Sequence, residues 1–521
     1  MRTALSVVVL FLAALFTTAQ DKKLSNGPVF DGEPYLEINP VNPQHMVVAW
    51  MSKPSLAAQV AIRTRVTVDG GLTWSNALTL PHGGTGFKSA DPSLAFDNSG
   101  ALFACFIDHQ ENPDSGGVYV TRSLDGGLSW GLPVKAIDIH ADGTELPVDR
   151  PWLAIDKSNG PHSGTLYITT KPAPWIPAPN RPYLVKSADG GNTWEPWKYI
   201  DTAGWFVGNV QQPMAALDVA ADGSLHIAYP SWQTTQNLLP GIIHAKSTNG
   251  GASFQYTGVA YSATPLSDTL AKKGYRLLCN PANTNHVAIA CILNTFNDAD
   301  VFLIESFNNG VTWNPPVRVN DDPQANGKMQ DLVWAGFDAD GDLVMAWRDR
   351  RNGAGSGYEQ ASEIWGAVRW KDSTSFSPNF MVPDTLAAYN ALYLSGSGND
   401  FMNVQMRDDT LAAVWGDVRS GKLEIWFKRM DLHTGTVSVL KQLVEDNAGI
   451  SVYPNPASHS IRITGNGLVE ILLCDLAGRV ILTKRCNGNH ADLNLQGIKA
   501  GPYILNVRTH YGTESIEIQK Y

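Results

Sequence analysis

The sequence predicts an all-β chain on three observations: an eight-residue motif recurring about every 60 residues, a second repeat on the same beat, and a composition poor in charge. The motif reads TVDGGLTW from Thr67, SLDGGLSW from Ser123, SADGGNTW from Ser187, STNGGASF from Ser247 and SFNNGVTW from Ser306. Its third positions, Asp69, Asp125, Asp189, Asn249 and Asn308, lie 56, 64, 60 and 59 residues apart. Asp372 in DSTSF and Asp431 in DLHTG continue the beat, so seven units are expected, with six as the alternative. INPVNPQHMVVAW from Ile38 matches CNPANTNHVAIAC from Cys279 at a displacement of 241 residues, four units of the same period.

Each unit reads as four short strands. In the second they are PSLAF, the DNSG turn from Asp97, ALFACFI, and VYVTRS running into SLDGGLSW, with a fourth strand beyond. Four-stranded units repeated around a closed ring make a β-propeller, here seven-bladed or alternatively six-bladed, over residues 21–445. Within the motif, the Asp or Asn suits bonding to amides of its own turn, the glycines permit positive φ, and the Trp folds back as an apolar plug. Trp74, Trp130, Trp194 and Trp313 are therefore expected to pack rather than to present a ligand platform.

Composition bounds the rest. Charged residues make up 17% of 521, Gly and Pro number 47 and 31, and Trp and Tyr number 16 each, which favours turn-rich β structure. A formal charge of -10 argues against a nucleic-acid groove or an anionic membrane surface as partner. Arg2, the apolar run Ala4 to Phe16 and the small residues Thr17 and Ala19 predict a secretory signal over residues 1–20, and no later stretch is long and apolar enough to span a membrane. The mature chain is expected to be a monomer without cofactor. Cys279 with Cys291, and Cys474 with Cys486, are local disulfide candidates, and Cys105 is left over. No zinc-ligand spacing occurs. DADGD from Asp338 occupies the hairpin slot held elsewhere by DNSG and reads as a turn rather than a metal loop.

The motif resembles the Asp boxes of bacterial sialidases and related BNR-repeat glycoside hydrolases, over roughly residues 31–445. That resemblance implies a glycan-directed protein, in the enzymatic case an exo-acting sialidase-like glycoside hydrolase, in the other a non-catalytic glycan- or protein-binding propeller of adhesin type. Two departures stand out. Those sialidases have six blades, and their F/Y-R-I-P motif near the start of the mature chain is absent here; the nearest string is DRPW from Asp149.

Blade topology sorts the loops. With strands a to d from the axis outward, the box joins c to d and shares a face with the a-to-b turns. The longer b-to-c and d-to-a loops share the other face, with the strand-a starts at Asp91, Asp149, Arg150 and Gln212. There WRDR from Trp347 and WGDVR from Trp415 share a Trp-Asp-Arg pattern. In the functional reading, Arg150, Arg348, Arg350 and Arg419 grip a substrate carboxylate, and Asp91, Asp149, Asp349 or Asp417 supplies the catalytic acid. In the structural reading, the repeated pattern is an ion pair that locks the b-to-c corner. Trp175 and Trp232, with Trp205, Tyr389 and Tyr393, are candidates to stack on sugar rings. No metal ligands are expected.

The period stops near Val444, and VYPNPASHSIRI, VEILLCDLAGRVI and LNLQGIKAGPYILNV follow. Their alternation predicts a small Ig-like β-sandwich over residues 446–521. Pro454, Asn455, Pro456, Asp475, Gly478, Gly501 and Tyr503 resemble the pattern of the type A C-terminal sorting domain of type IX secretion. That resemblance implies export through the periplasm, release or attachment at the outer-membrane surface, and the type IX machinery as partner. An extracellular glycan or glycoprotein is the other expected partner.

Overall fold

The computed structural model describes residues 21–140, 148–171, 182–201, 215–231, 241–260, 274–296, 298–391, 399–433, 450–475, 480–509 and 513–521. The chain forms two compact units, Met1–Ser438 and Val439–Tyr521. The signal segment and the expected boundary at 445/446 lie outside the described residues.

The first unit is a β-propeller. Its described residues form four-stranded antiparallel sheets, seven in number, and in six of them each strand pairs with the next in sequence. Their innermost strands, Asp31–Ile38, Lys88–Phe96, Asp149–Ile155, Ala216–Val219, Tyr275–Cys279, Gln330–Phe337 and Asn403–Arg407, follow one another around the axis, the last against the first. Because each sheet is packed on both faces, its strands are apolar on both. In Leu102–Glu111, Leu102, Ala104 and Phe106 enter one core cluster and Phe103 and Cys105 another. The second strands Met46–Ser52 and Val287–Leu293 are buried along their whole length.

One strand of the ring was not legible in the repeat. The last sheet takes its a, b and c strands from Asn403–Arg407, Thr410–Asp417 and Glu424–Asp431, but its outermost strand is Lys22–Lys23, paired Lys22 to Phe427 and Lys23 to Trp426. The Leu24 amide donates to the Ile425 carbonyl at 2.8 Å and extends the join. This explains why the box at Asp431 is degraded: the outermost position of that sheet is filled by Lys22–Lys23, so no c-to-d hairpin has to be turned there.

The five full boxes share one network. Thr67, Ser123, Ser187, Ser247 and Ser306 each donate a hydroxyl to the Asp or Asn two residues on and accept the amide four residues on. The Asp or Asn accepts the amide four residues beyond itself; all fifteen bonds measure 2.7–2.9 Å. Gly70 and Gly71 have φ of 70° and 91°, and a Cβ on Gly71 would come within 2.5 Å of the Phe427 ring. The box tryptophans fasten each sheet to the one before it: Trp74 packs edge-on against Phe427 at 5.0 Å, Trp130 donates to Thr64 Oγ1 at 3.3 Å, and Trp313 meets His244 at 5.1 Å.

The described residues of the second unit form five strands, Ser451–Tyr453, Ser460–Cys474, Val480–Asn494, Gly501–Thr509 and Thr513–Lys520, around a separate core that includes Ile463, Leu473 and Val507. All five cysteines are free, so neither candidate local pair is formed. Cys279 sits opposite Val287 and Cys291 opposite Tyr275, at the two ends of one hairpin. Cys474 sits opposite Val480 across the next strand, away from Cys486.

Candidate functional site at the long-loop mouth of the channel

Three innermost strands begin alike. Glu33, Asp91 and Arg150 each precede a proline, and each has a positive φ, 53°, 54° and 48°. At each the pairing with the second strand slips by a bulge, between Gly32 and Tyr35, Ala90 and Ser93, and Asp149 and Trp152. Left-handed backbone is costly for a residue with a Cβ, and a following proline restricts it further, so the conformation persists only where surrounding contacts hold it. Its effect is to re-aim three ionisable side chains from neighbouring sheets.

Those side chains form one network. The Arg150 amide donates to Asp91 Oδ2 at 3.1 Å, the Arg150 guanidinium pairs with Asp400 from just before the last innermost strand, and the Glu33 and Asp91 carboxyl groups adjoin each other. Glu33, Asp91 and Arg150 are buried, while Asp149 and Asp400 are partly open. Burial pushes the Glu33 carboxyl well up, and the charge of Asp91 adds to the shift. Burial also raises Asp91, to about 6, against the Glu33 bond and the Arg150 charge that lower it. The proton of the pair thus rests on Glu33. Arg150 is held as a cation by Asp400, Asp149, Asp91 and Glu33 despite its burial.

An aromatic floor closes the axis beneath this network. Trp152 lies 5.5 Å from Tyr35, 5.3 Å from Trp334 and 5.1 Å from Phe401, ring centre to ring centre. Three innermost strands, and Phe401 just before a fourth, thereby bring four rings together at the axis.

Of the residues singled out in the sequence, Asp91, Asp149 and Arg150 come together here. Glu33 and Asp400, which sequence reasoning missed, complete the group. A signal for Glu33 was available: aligned on the repeat, successive units open with Glu33-Pro34, Asp91-Pro92, Arg150-Pro151 and Gln212-Pro213, an ionisable or polar residue before proline. Gln212 lies outside the described residues, as do Trp175, Trp205, Trp232 and Tyr393. Tyr389 is half-buried.

The other arginines are engaged elsewhere. Arg348 grips Asp331 with two bonds of 2.7 and 2.6 Å, and Arg350 grips the same carboxylate with two of 3.2 Å while donating to the Tyr358 carbonyl at 2.8 Å. The Trp-Asp-Arg pattern has its register at Trp347, Asp349 and Arg351 rather than Arg350. Trp347 Nε1 and Arg351 Nε both donate to Asp349 Oδ2, at 2.8 and 3.0 Å, and the Arg351 guanidinium lies 4.0 Å over Trp365. Trp415, Asp417 and Arg419 repeat the arrangement, with Arg419 4.4 Å over Trp426. Arg419 also donates to Asp21 Oδ2 at 2.7 Å, tying down the N-terminal strand that completes the last sheet. At the DADGD hairpin, Asp338 Oδ1 accepts the amides of Asp340, Gly341 and Asp342 at 3.1–3.2 Å, as a turn carboxylate does.

Residues 451–519 match the secretion system C-terminal sorting domain, which marks the chain for type IX export to the cell surface or the medium. No helix among the described residues is long and apolar enough to cross a membrane. No curated protein matches the chain. Similar solved structures include a protein of unknown function from Dyadobacter fermentans DSM 18053 (16% identity, 67% of this chain and 98% of that one, TM-score 0.42). They also include the phage phi92 endosialidase (10%, 96% and 87%, 0.43) and the Penicillium chrysogenum α-L-arabinanase complexed with arabinobiose (12%, 80% and 99%, 0.42). Likeness at this level leaves any activity to be argued from the site itself.

Proposed function

Starting from a chain exported by type IX secretion, we propose that its propeller, counted as seven-bladed, acts outside the cell on a glycan held at the long-loop mouth of the channel. Glu33, Asp91, Asp149, Arg150 and Asp400 are the groups that meet it. The observation that carries this reading is the gathering of two adjoining buried carboxyl groups, Glu33 and Asp91, beside one arginine by strained backbone, with burial raising both and Glu33 the more strongly. With four carboxyls around a single guanidinium, the mouth favours hydroxyl donors over anions. A neutral, hydroxyl-rich saccharide therefore suits it better than a sialoside, whose carboxylate would have to compete with Asp400 for Arg150.

In the enzymatic form, Glu33 gives its proton to the glycosidic oxygen as that bond breaks, and Asp149 or Asp400 assists at the opposite face of the sugar, as nucleophile or as base for the incoming water. The second reading, binding without turnover, is favoured by one specific feature. The Glu33 and Asp91 carboxyl groups adjoin each other, whereas a glycosidase holds its two working carboxyl groups roughly 5–9 Å apart.

The deciding assay is sugar release from a panel of neutral and acidic glycans, with direct binding measured on the same panel. Turnover of a neutral glycan that Glu33→Gln lowers roughly 100-fold or more, with binding kept, supports the enzyme. Binding that Arg150→Ala abolishes, with no release by the unaltered chain, supports the second reading. No binding to any glycan removes the ligand class.

A further inference from the structure

Beyond the aromatic floor, at the end of the axis where the a-to-b turns lie, the same innermost strands line a second cavity of about 330 Å3. Its size, near the lower limit of roughly 300 Å3 for small-ligand sites, suits a molecule of amino-acid dimensions. Three cations face it from three different sheets, Lys157, Arg276 and Arg407, together with two carboxylates, Glu37 and Asp218. The guanidinium of Arg276 lies 5.1 Å over the Trp334 ring and near the Tyr35 hydroxyl, so the floor of one mouth is also the floor of the other. Arg276 Nε is buried with no hydrogen-bond partner among the described residues. Glu37 accepts the Gln405 amide at 2.6 Å and faces Lys157 at 3.8 Å. Asp218 accepts the amides of Cys279 and Val219 at 2.9 and 2.8 Å, which fixes its carboxylate and leaves lone pairs for a ligand. Asp338 also borders the cavity, but its Oδ1 is committed to its own turn.

Both signs of charge sit in one small space; burial pushes the Asp338 carboxyl up to about 7, so below that pH Glu37 and Asp218 are the two anions set against three cations. A purely anionic ligand would meet Glu37 and Asp218, and a purely cationic one Lys157 and Arg276. The complement is a molecule carrying one ammonium and two carboxylates. We propose that this cavity is a binding site for a dicarboxylic α-amino acid, its carboxylates taken by Arg276 with Arg407 and Lys157, and its ammonium by Asp218 with Glu37. The site is separate from the long-loop mouth and does not depend on what that mouth binds.

The test is calorimetric titration of the exported chain with L-glutamate, glutarate, which lacks the ammonium, and L-glutamine, which lacks the second carboxylate. Glutamate is expected to bind, with glutarate and glutamine each at least tenfold weaker. Arg276→Gln and Arg407→Gln are each expected to weaken glutamate at least tenfold while the melting temperature stays close to that of the parent. Absence of heat with glutamate, equal binding of glutarate, or an unchanged affinity in Arg407→Gln overturns the proposal. Should Arg276→Gln fail to fold, Arg407→Gln decides, because its side chain is only partly buried at the rim.

Discussion

Glu33 and Asp91 show how far a single residue's chemistry is set by neighbours remote in sequence. Both carboxyl groups titrate above their ordinary range in the folded chain, through burial first and, for Glu33, the adjoining Asp91 charge next. A carboxyl whose folded pKa is raised gives stability that is fully present below its unfolded value, near 4, and lost as pH rises through the folded value, for Asp91 about 6. Glu33→Gln keeps a hydrogen-bond donor toward Asp91 and cannot ionise. Its melting temperature is therefore expected to fall less than the parent's between pH 5 and pH 8, by the equivalent of about 1–2 kcal/mol. Thermal melts across that range check this, and parallel slopes would dismiss the shared proton. Asp91, Asp149 and Arg150 were legible as strand-a starts. Asp400 was not, because the last unit opens Asp400-Phe401 without the proline that marks the others.

At the scale of the element, the box carries its own folding instructions. Its hydroxyl, carboxylate or amide, and glycine lie within eight residues, so the turn closes by local bonds whichever sheet it belongs to. The tryptophan is the part that reaches outward. Trp194 packs against the cluster formed by Phe103, Val120 and Leu166, between the second sheet and its own. Trp194→Ala is expected to cost about 2–3 kcal/mol, below the roughly 3–5 of a fully buried aromatic because the ring is half-exposed. Glycan binding by the folded fraction should be unchanged, since the boxes and the candidate site lie at opposite ends of the strands. Denaturant melts and binding on the same sample separate the two effects; wild-type stability with lost binding would put the site on the box face.

At the scale of the whole molecule, the N-terminal strand completes the sheet that the last repeat leaves one strand short, and Arg419 holds Asp21 in place beside it. Joining the first and last segments lets the two end sheets cover the apolar faces that an open row of sheets would expose. The propeller's core lies wholly in the first unit and the sorting domain's in the second. Deleting residues 446–521 is therefore expected to leave a folded propeller retained in the periplasm. Fractionation with a melting curve of the retained protein checks both halves of that expectation, and release at the parental rate would refute the role of the tail.

The sequence by itself determined what repeats: the all-β class, the four-strand unit, the boxes and the sorting domain. Each is encoded by residues close together, in turns closed by local bonds or strands with regular apolar spacing. Only the tertiary structure decided which strand closes the ring, that Arg348 and Arg350 spend their charge on Asp331, and that Glu33 and Asp400 meet Arg150. Those outcomes depend on which side chains a closed ring brings to its axis. Residues 33, 91, 150 and 400 are neighbours there because the chain returns to its start, a relation that no local pattern in the sequence carries.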